Sequence, residues 1–160
     1  MKKQGFTLIE LMVVIVIMGI LAAVAVPKLF GMIAKSKASE VGPAAGEYVK
    51  LQDAFIAENG DYMGDFTAIG YEMQNTTTFS YTNGVQVANG VHTAALAAQA
   101  AAWKAKSLVA LNDCTKGTEW QLDLDKSSSG NGAKWEAKYS ANESKCSILT
   151  PRFKDLTRGS

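Results

Sequence analysis

The stretch FTLIELMVVIVIMGILAAVAV, residues 6–26, decides the fold of this chain, because it is an apolar run in which Glu10 is the only charged residue. A helix needs about 20 such residues to cross a bilayer, so the stretch predicts one membrane-spanning helix. A charged side chain inside such a helix costs about 3 kcal/mol, and a simple anchor does not need it. We therefore expect Glu10 to pair with another group, and we expect that pairing to serve the function.

A short basic leader, residues 1–5, precedes the apolar stretch. Lys2 and Lys3 favour the cytoplasmic side of a membrane. This charge distribution predicts a single-pass protein with a cytoplasmic N-terminus, in which everything after Pro27 is exported.

Two simpler interpretations of this N-terminus are an ordinary signal anchor and a secretory signal peptide. The second is suggested by the small residues Ala23-Val24-Ala25, which follow an apolar core as a cleavage site does. Neither interpretation explains Glu10 or the abrupt change from polar to apolar sequence at Gly5-Phe6. The helical pattern also continues past Ala25 without a break.

The residues KKQGFTLIEL, positions 2–11, resemble the class III signal of type IV pilins and of the pseudopilins of type II secretion systems. In that family a prepilin peptidase cuts after the glycine, and the new N-terminal residue is methylated. The resemblance implies cleavage between Gly5 and Phe6 and N-methylation of Phe6. It also gives Glu10 the position of the family's acid, and it places Pro27 where pilins carry a helix-bending proline.

Cleavage after Gly5 creates a positive α-amine at Phe6, a few residues from Glu10. When two copies lie side by side in the membrane, the amine of one reaches the Glu10 carboxylate of the other, and pairing offsets part of the cost of burying each charge. We expect this ion pair to fix the register of subunits in a helical homopolymer, which makes Glu10 the assembly residue.

The resemblance further implies partners and a location. The partners are an assembly ATPase and membrane platform machinery, in addition to the peptidase and other copies of the chain. The precursor is expected in the inner membrane and the assembled form in an extracellular pilus.

Beyond the membrane segment the pattern predicts an amphipathic helix. Apolar residues recur at spacings of three and four, and Asn59-Gly60 supplies a helix end. We expect residues 6–27 to form the membrane and assembly half of a long helix, residues 28–59 its amphipathic half, and residues 60–160 an exported globular domain. The predicted buried face consists of Ala34, Ala38, Val41, Ala45, Tyr48, Leu51 and Phe55.

Several residues are predicted to interrupt this helix. Proline removes a backbone donor and clashes with the carbonyl four residues earlier. Gly19 and Pro27 are the predicted bend, with further interruptions at Gly31 and Gly42-Pro43. They are either tolerated kinks or, as the resemblance suggests, a segment that unwinds during packing.

The exported domain is predicted to be a small antiparallel sheet that packs on the helix, which makes the fold class α+β. Alternating residues predict strands at 119–125 and 133–139 around a polar loop at 127–132. A strand at 76–81 is predicted to turn at Asn83-Gly84 into residues 85–87 as a hairpin. For residues 93–111, alanine content favours helix and pilin architecture favours strand, so we predict a short helical turn followed by a strand.

Cys114 and Cys146 are the only cysteines. Export to an oxidising compartment favours a disulfide between them, and a metal or redox pair is the alternative. The disulfide agrees with the C-terminal staple that is common in pilins.

An enzyme is a poor match to this sequence. His92 is the lone histidine, and no nucleophile elbow, P-loop or dinucleotide motif occurs. Asp123 and Asp125 resemble part of a calcium loop, but alternation places both on the outer face of a strand. We therefore expect no catalytic residue, no metal and no cofactor. The lack of an oxygen-rich C-terminal site favours a pilus subunit over the calcium-binding major pseudopilins.

The remaining class is a binding module, such as an adhesin at a filament tip. The chain retains Glu10 and has no room for an additional domain. Its net charge of +1 gives no reason to expect nucleic acid as a primary partner. The sequence therefore predicts a major pilin, with a pseudopilin or minor pilin as the alternative. It leaves open whether the filament serves adhesion, twitching, DNA uptake or secretion.

Overall fold

The computed structural model describes residues 5–159 with the exception of residues 89, 129 and 131. Lys2 and Lys3, and the predicted leader except for Gly5, lie outside the described residues. The chain divides into two compact units, one up to Ile33 and one from Ala34 onward. Burial inside the chain begins at this division, because Ala34 is the first buried residue.

Helix α1, Leu8–Ala38, begins in the first unit, and its last five residues belong to the second. It stays helical through Gly19, Pro27 and Gly31, so the predicted interruptions do not break it. The bend at Gly19 and Pro27 stays a prediction.

Helix α2, Val41–Asn59, follows after a two-residue turn at Ser39-Glu40. Pro43 lies in its first turn, where a helix has no backbone partner for an N–H in any case. The helix ends as predicted at Asn59-Gly60. The Gly60 N–H donates to the Ile56 carbonyl, and Gly60 has a φ of 58°, which glycine adopts without the strain of a side chain.

In the described part of the second unit, six strands and two short helices follow α2. A two-stranded sheet pairs β1, Tyr62–Gly64, with β3, Thr93–Ala95. The main antiparallel sheet has the order β2-β4-β5-β6. Its strands are β2 Phe79–Asn83, β4 Gln99–Ser107, β5 Glu119–Lys126 and β6 Ala133–Tyr139, and they are followed by α3 Glu143–Cys146 and a 3₁₀ helix Phe153–Leu156. The predicted α+β class, with a long N-terminal helix and an antiparallel sheet, is confirmed.

The predicted strands β5 and β6 are confirmed, and their alternation has the predicted consequence. Trp120, Leu122 and Leu124 of β5 are buried, and so are Trp135, Ala137 and Tyr139 of β6. These residues form the core together with Trp103 and the inner face of α2. Tyr48 of α2 contacts the Trp103 and Trp135 rings at centroid distances of 6.5 and 5.8 Å.

The predicted buried face of α2 needs one correction. Leu51 and Phe55 are only partly buried, whereas Gln52 and Ile56 are buried. Gln52 can be buried because its side-chain amide makes two hydrogen bonds with the backbone of Gly64, as a neighbouring strand would. Its Nε2 donates to the Gly64 carbonyl at 3.0 Å, and its Oε1 accepts from the Gly64 N–H at 3.3 Å.

Residues 93–111 were predicted to begin with a helical turn, and that prediction is wrong. The segment forms β3 and then β4, and a bulge interrupts the β4–β5 register between Gln99 and Trp103. Ala101 in this bulge has a φ of 51°, and its N–H donates to Asp123 Oδ1 at 2.8 Å. Pairing with neighbouring strands overrides the helix propensity of the alanines.

The hairpin predicted at Asn83-Gly84 is also wrong. Strand β2 pairs with β4, and residues 85–87 form no strand. The backbone of Gly84 instead lies directly against the bulge of β4, where a side chain would not fit. A Cβ at this position would lie 1.9 Å from the Ala101 carbonyl oxygen, and the Gly84 N–H donates to the Ala102 carbonyl at 2.9 Å.

Candidate functional site: the N-terminal helix and Glu10

The surface of α1 in the first unit is apolar apart from Glu10 and Lys28, and its side chains are not buried by any other described residue. Every large apolar side chain from Phe6 to Ile33 is between 43% and 82% exposed. The helix from Leu8 to Asn59 contains the only segment of the described residues that is long and apolar enough to cross a membrane. A helix that is apolar on all sides requires either lipid or other proteins around it.

Glu10 lies in the first turn of α1 and forms a capping box with Thr7. Glu10 Oε2 accepts from both the backbone N–H and the hydroxyl of Thr7, each at 2.8 Å, and the Glu10 N–H donates to Thr7 Oγ1 at 3.3 Å. Such a box satisfies two of the backbone donors that a helix start leaves free. The sequence analysis missed Thr7, although the Thr-x-x-Glu pattern at residues 7–10 is a known signature of this box.

The capping box uses only half of the carboxylate. Glu10 Oε1 accepts no hydrogen bond in the part of the chain that the structure describes, and no cation of that part pairs with Glu10. The carboxylate borders a shallow apolar groove of about 340 Å³, lined by Phe6, Ile9, Val13 and Val14. The site therefore presents one free carboxylate oxygen on an otherwise apolar surface.

The scissile bond predicted between Gly5 and Phe6 lies just before the helix. Residues 5–7 have no regular secondary structure, and a Cβ at Gly5 would meet nothing within 4 Å. The Phe6 side chain is 82% exposed. This accessible segment outside the helix is compatible with entry into a protease site, and cleavage and methylation stay predictions.

The predicted disulfide is present in the second unit. Cys114 and Cys146 are joined with their Cα atoms 5.0 Å apart, and both residues are fully buried. The bond closes the segment that contains β5 and β6. The neighbouring Trp120 Nε1–H donates to Thr150 Oγ1 at 2.8 Å, which fixes the segment after the second cysteine against the sheet.

The residues weighed as catalytic or metal ligands have structural partners. His92 Nδ1 lies 2.8 Å from Asp65 Oδ2. Burial by itself raises the pKa of Asp65. The hydrogen bonds that its carboxylate accepts from His92 and from the Ala68 N–H, together with the attraction of the His92 charge, have the larger effect and hold the pKa below its usual range. Asp123 accepts from the Ala101 N–H and from Lys138 Nζ. No group of three acidic, histidine or cysteine side chains among the described residues is placed to hold a metal.

The C-terminal cations are paired as well. The Asp53 carboxylate of α2 accepts from Trp135 Nε1 at 2.8 Å and also from Arg158. Lys154 pairs with Glu143 at 2.8 Å, and Arg152 with Asp155 at 3.5 Å. The contact between Arg158 and Asp53 connects the end of the chain to α2.

These features define a class: a protein with an apolar N-terminal helix long enough to cross a membrane, an acid in the first turn of that helix, and a disulfide-closed α+β domain. Residues 1–26 match the prokaryotic N-terminal methylation motif. The chain is similar to the fimbrial protein of Neisseria meningitidis serogroup B, with 38% identity over 95 residues, which is 59% of this chain and 56% of that protein. It is 37% identical over 94 residues to the type IV major pilin protein PilE of Neisseria gonorrhoeae, with the same shares covered.

A third relative is the type IV major pilin protein PilA of Myxococcus xanthus, which is 36% identical over 80 residues, half of this chain and 36% of that protein. The chain thus spans about half the length, or less, of these curated relatives. The resemblance to type IV pilins that residues 2–11 predicted is confirmed.

Proposed function

We propose that this chain is the major structural subunit of a type IV pilus. It is made as a prepilin, cleaved after Gly5, methylated on Phe6 and polymerised through its N-terminal helix. The observation that carries the proposal is the apolar surface of α1 in the first unit, which no other described residue covers and which has Glu10 as its only acid. The N-terminal methylation motif and the pilin names of the relatives support it.

Assembly uses the free half of the Glu10 carboxylate. The capping box holds Oε2 in the first turn of α1 and leaves Oε1 for the α-amine of a neighbouring Phe6. Inside a membrane the two charges compensate each other, and an offset by one helical turn loses that compensation. The pair therefore sets register, while the apolar side chains supply contact area.

Before assembly the precursor lies in the inner membrane as a single-pass protein with its N-terminus in the cytoplasm. A prepilin peptidase processes it, and an assembly ATPase with a membrane platform drives polymerisation. The subunit itself catalyses no reaction in this proposal. A pseudopilin of a type II secretion system, or a minor pilin, remains the alternative identity, and it predicts a different abundance in surface filaments.

The test is the intact mass of the dominant protein in filaments sheared from cells. We expect the mass of residues 6–160 with one added methyl group and with two hydrogens lost to the disulfide. A processed chain that stays in the membrane and is scarce in surface filaments would favour the pseudopilin or minor pilin instead. A dominant protein that retains residues 1–5 would contradict cleavage at Gly5.

A further inference from the structure

The second unit contains an open apolar groove that nothing in the proposed function uses. It lies between the end of α1, the start of α2 and the segment that follows the disulfide, and its volume is about 390 Å³. Pockets of this size hold small-molecule ligands. Its wall is mainly apolar and its rim carries two cations; the wall includes Pro43, Leu149, Phe153 and Leu156, and the rim includes Lys35 and Arg152.

The cations at the rim are poorly compensated. Lys35 forms no ion pair within the part of the chain that the structure describes. Arg152 is 94% exposed and pairs only with the exposed Asp155 at 3.5 Å, an arrangement that contributes little. The groove thus combines an apolar lining with one lysine and one exposed, weakly paired arginine, which fits an amphiphile with an anionic head.

The sequence around the groove strengthens this charge argument. Lys28, Lys35 and Lys37 follow the apolar stretch, and no acidic residue occurs from residue 11 to residue 39. Lysines on the exported flank of a membrane helix oppose the orientation that Lys2 and Lys3 favour. Their presence on that flank therefore calls for a compensating anion.

The position of Lys35 in α1 identifies the source of that anion. Residues 8–33 extend about 39 Å at 1.5 Å per residue, and a bilayer with its headgroups is about 40–45 Å thick. When α1 spans a membrane, Lys35 therefore reaches the headgroup layer. Phosphate groups of anionic lipids are the nearest anions at that level.

We propose that this groove binds an anionic phospholipid of the membrane that α1 spans. The acyl chain lies on the wall formed by Leu149, Phe153 and Leu156, and the phosphate contacts Lys35 and Arg152. Gly42 borders the groove, and the space beside it is open, because a Cβ at this position would meet nothing within 4 Å. A second copy of the chain is the competing occupant, but the apolar face of its α1 would leave both rim cations without a counter-charge. The proposal rests on α1 spanning a membrane and not on filament formation.

The test uses the full chain in nanodiscs made of phosphatidylcholine alone or with an equal part of phosphatidylglycerol. Each preparation carries one of these lipids with a photoreactive group at the end of an acyl chain, and mass spectrometry locates the label. We expect label on residues 149–156, several-fold stronger from the phosphatidylglycerol probe. Each of Lys35→Gln and Arg152→Gln should lower that preference about fivefold, the loss expected per cation at an anionic surface.

Two further variants make the test specific. Lys134→Gln removes an exposed lysine of β6 away from the groove and should leave the preference unchanged. Gly42→Leu fills the groove and should remove the acyl label while the thermal unfolding of the second unit is preserved. Equal labelling by the two probes, or no label on the groove residues, would overturn the proposal. Loss of filaments from Gly42→Leu with lipid labelling intact would assign the groove to a second copy.

Discussion

Residues 8–33 and residues 34–59 are both almost entirely helical, yet only the second set is packed inside its own chain. None of the described side chains in the first set is buried, whereas two in the last part of α1 and seven in α2 are. The difference lies in the pattern: apart from Glu10 and Lys28 the first set is apolar on every side, and the second has charged residues between its apolar ones. A helix with one apolar face finishes its packing within the chain, and a helix with apolar residues all round requires lipid or other copies.

The largest effect should come from a charge placed on the packed face. Ala45→Asp buries a carboxylate at a fully buried position of α2 without a partner, so the free energy of unfolding of the second unit should fall by about 3–5 kcal/mol. Thermal or urea unfolding measures this loss. Ala54→Asp is the matched control, since Ala54 is exposed on the same helix and should change stability by less than about 0.5 kcal/mol. Similar losses from both variants would break the comparison between the two helix surfaces.

Removal of the disulfide should be the next largest effect, and it should remain confined to the second unit. The double variant Cys114→Ser/Cys146→Ser frees a loop with a sequence separation of 32, for which the chain-entropy relation gives about 3–4 kcal/mol. Urea unfolding of the variant measures the loss, and peptidase cleavage after Gly5 should be unchanged. Impaired cleavage in a variant that is still folded would show that processing at Gly5 depends on the disulfide of the second unit, which would contradict this prediction.

A buried hydrogen-bond pair gives a smaller effect. Gln52→Leu keeps the volume and burial of the side chain but leaves the Gly64 N–H and carbonyl without their partner. The free energy of unfolding should fall by about 1–3 kcal/mol. Leu51→Gln is a useful contrast because Leu51 is only partly buried and its amide can reach water. An unchanged stability of Gln52→Leu would mean that Gly64 finds another partner.

The elements that could be predicted from sequence alone are those with a strong local residue pattern. The alternation of Trp120, Leu122 and Leu124 and the helix end at Asn59-Gly60 are local signals that tertiary contacts reinforce. The same holds for the N-terminal motif, where the residues that indicate function are adjacent in sequence. The Thr7–Glu10 cap was equally readable from its spacing.

The errors occur where distant contacts reverse a local preference. Residues 93–101 contain alanines that favour helix, but residues 93–95 pair with β1 and residues 99–101 belong to β4, which pairs with β5. Asn83-Gly84 has the composition of a hairpin turn, yet the glycine is there because the Ala101 carbonyl lies against it. Neither contact is visible in a window of sequence.

The bulge supplies the smallest predicted effect. Ala101 has a φ of 51°, which costs an L-residue about 1–2 kcal/mol, and glycine avoids that cost while losing about 0.5–1 kcal/mol through its freer unfolded chain. Ala101→Gly should therefore raise the free energy of unfolding by up to about 1 kcal/mol. Ala100→Gly, one residue earlier and without a positive φ, should lower it slightly. If both glycines destabilise equally, the positive φ of Ala101 is not a source of strain.

The central claim is that Glu10 pairs between copies as a charge and does not serve only as a helix cap. Glu10→Gln separates these roles, because glutamine also completes a capping box but carries no charge. Thr7→Val is the converse variant, which removes the two hydrogen bonds of the Thr7 hydroxyl from the cap and keeps the carboxylate with its bond from the backbone N–H of residue 7. The decisive measurement is the amount of surface filament formed by each variant at equal levels of processed protein in the membrane. We expect few or no filaments from Glu10→Gln, which lacks the charge, and substantial assembly from Thr7→Val, which keeps it. Filaments at the unmodified chain's level from Glu10→Gln would contradict the central claim.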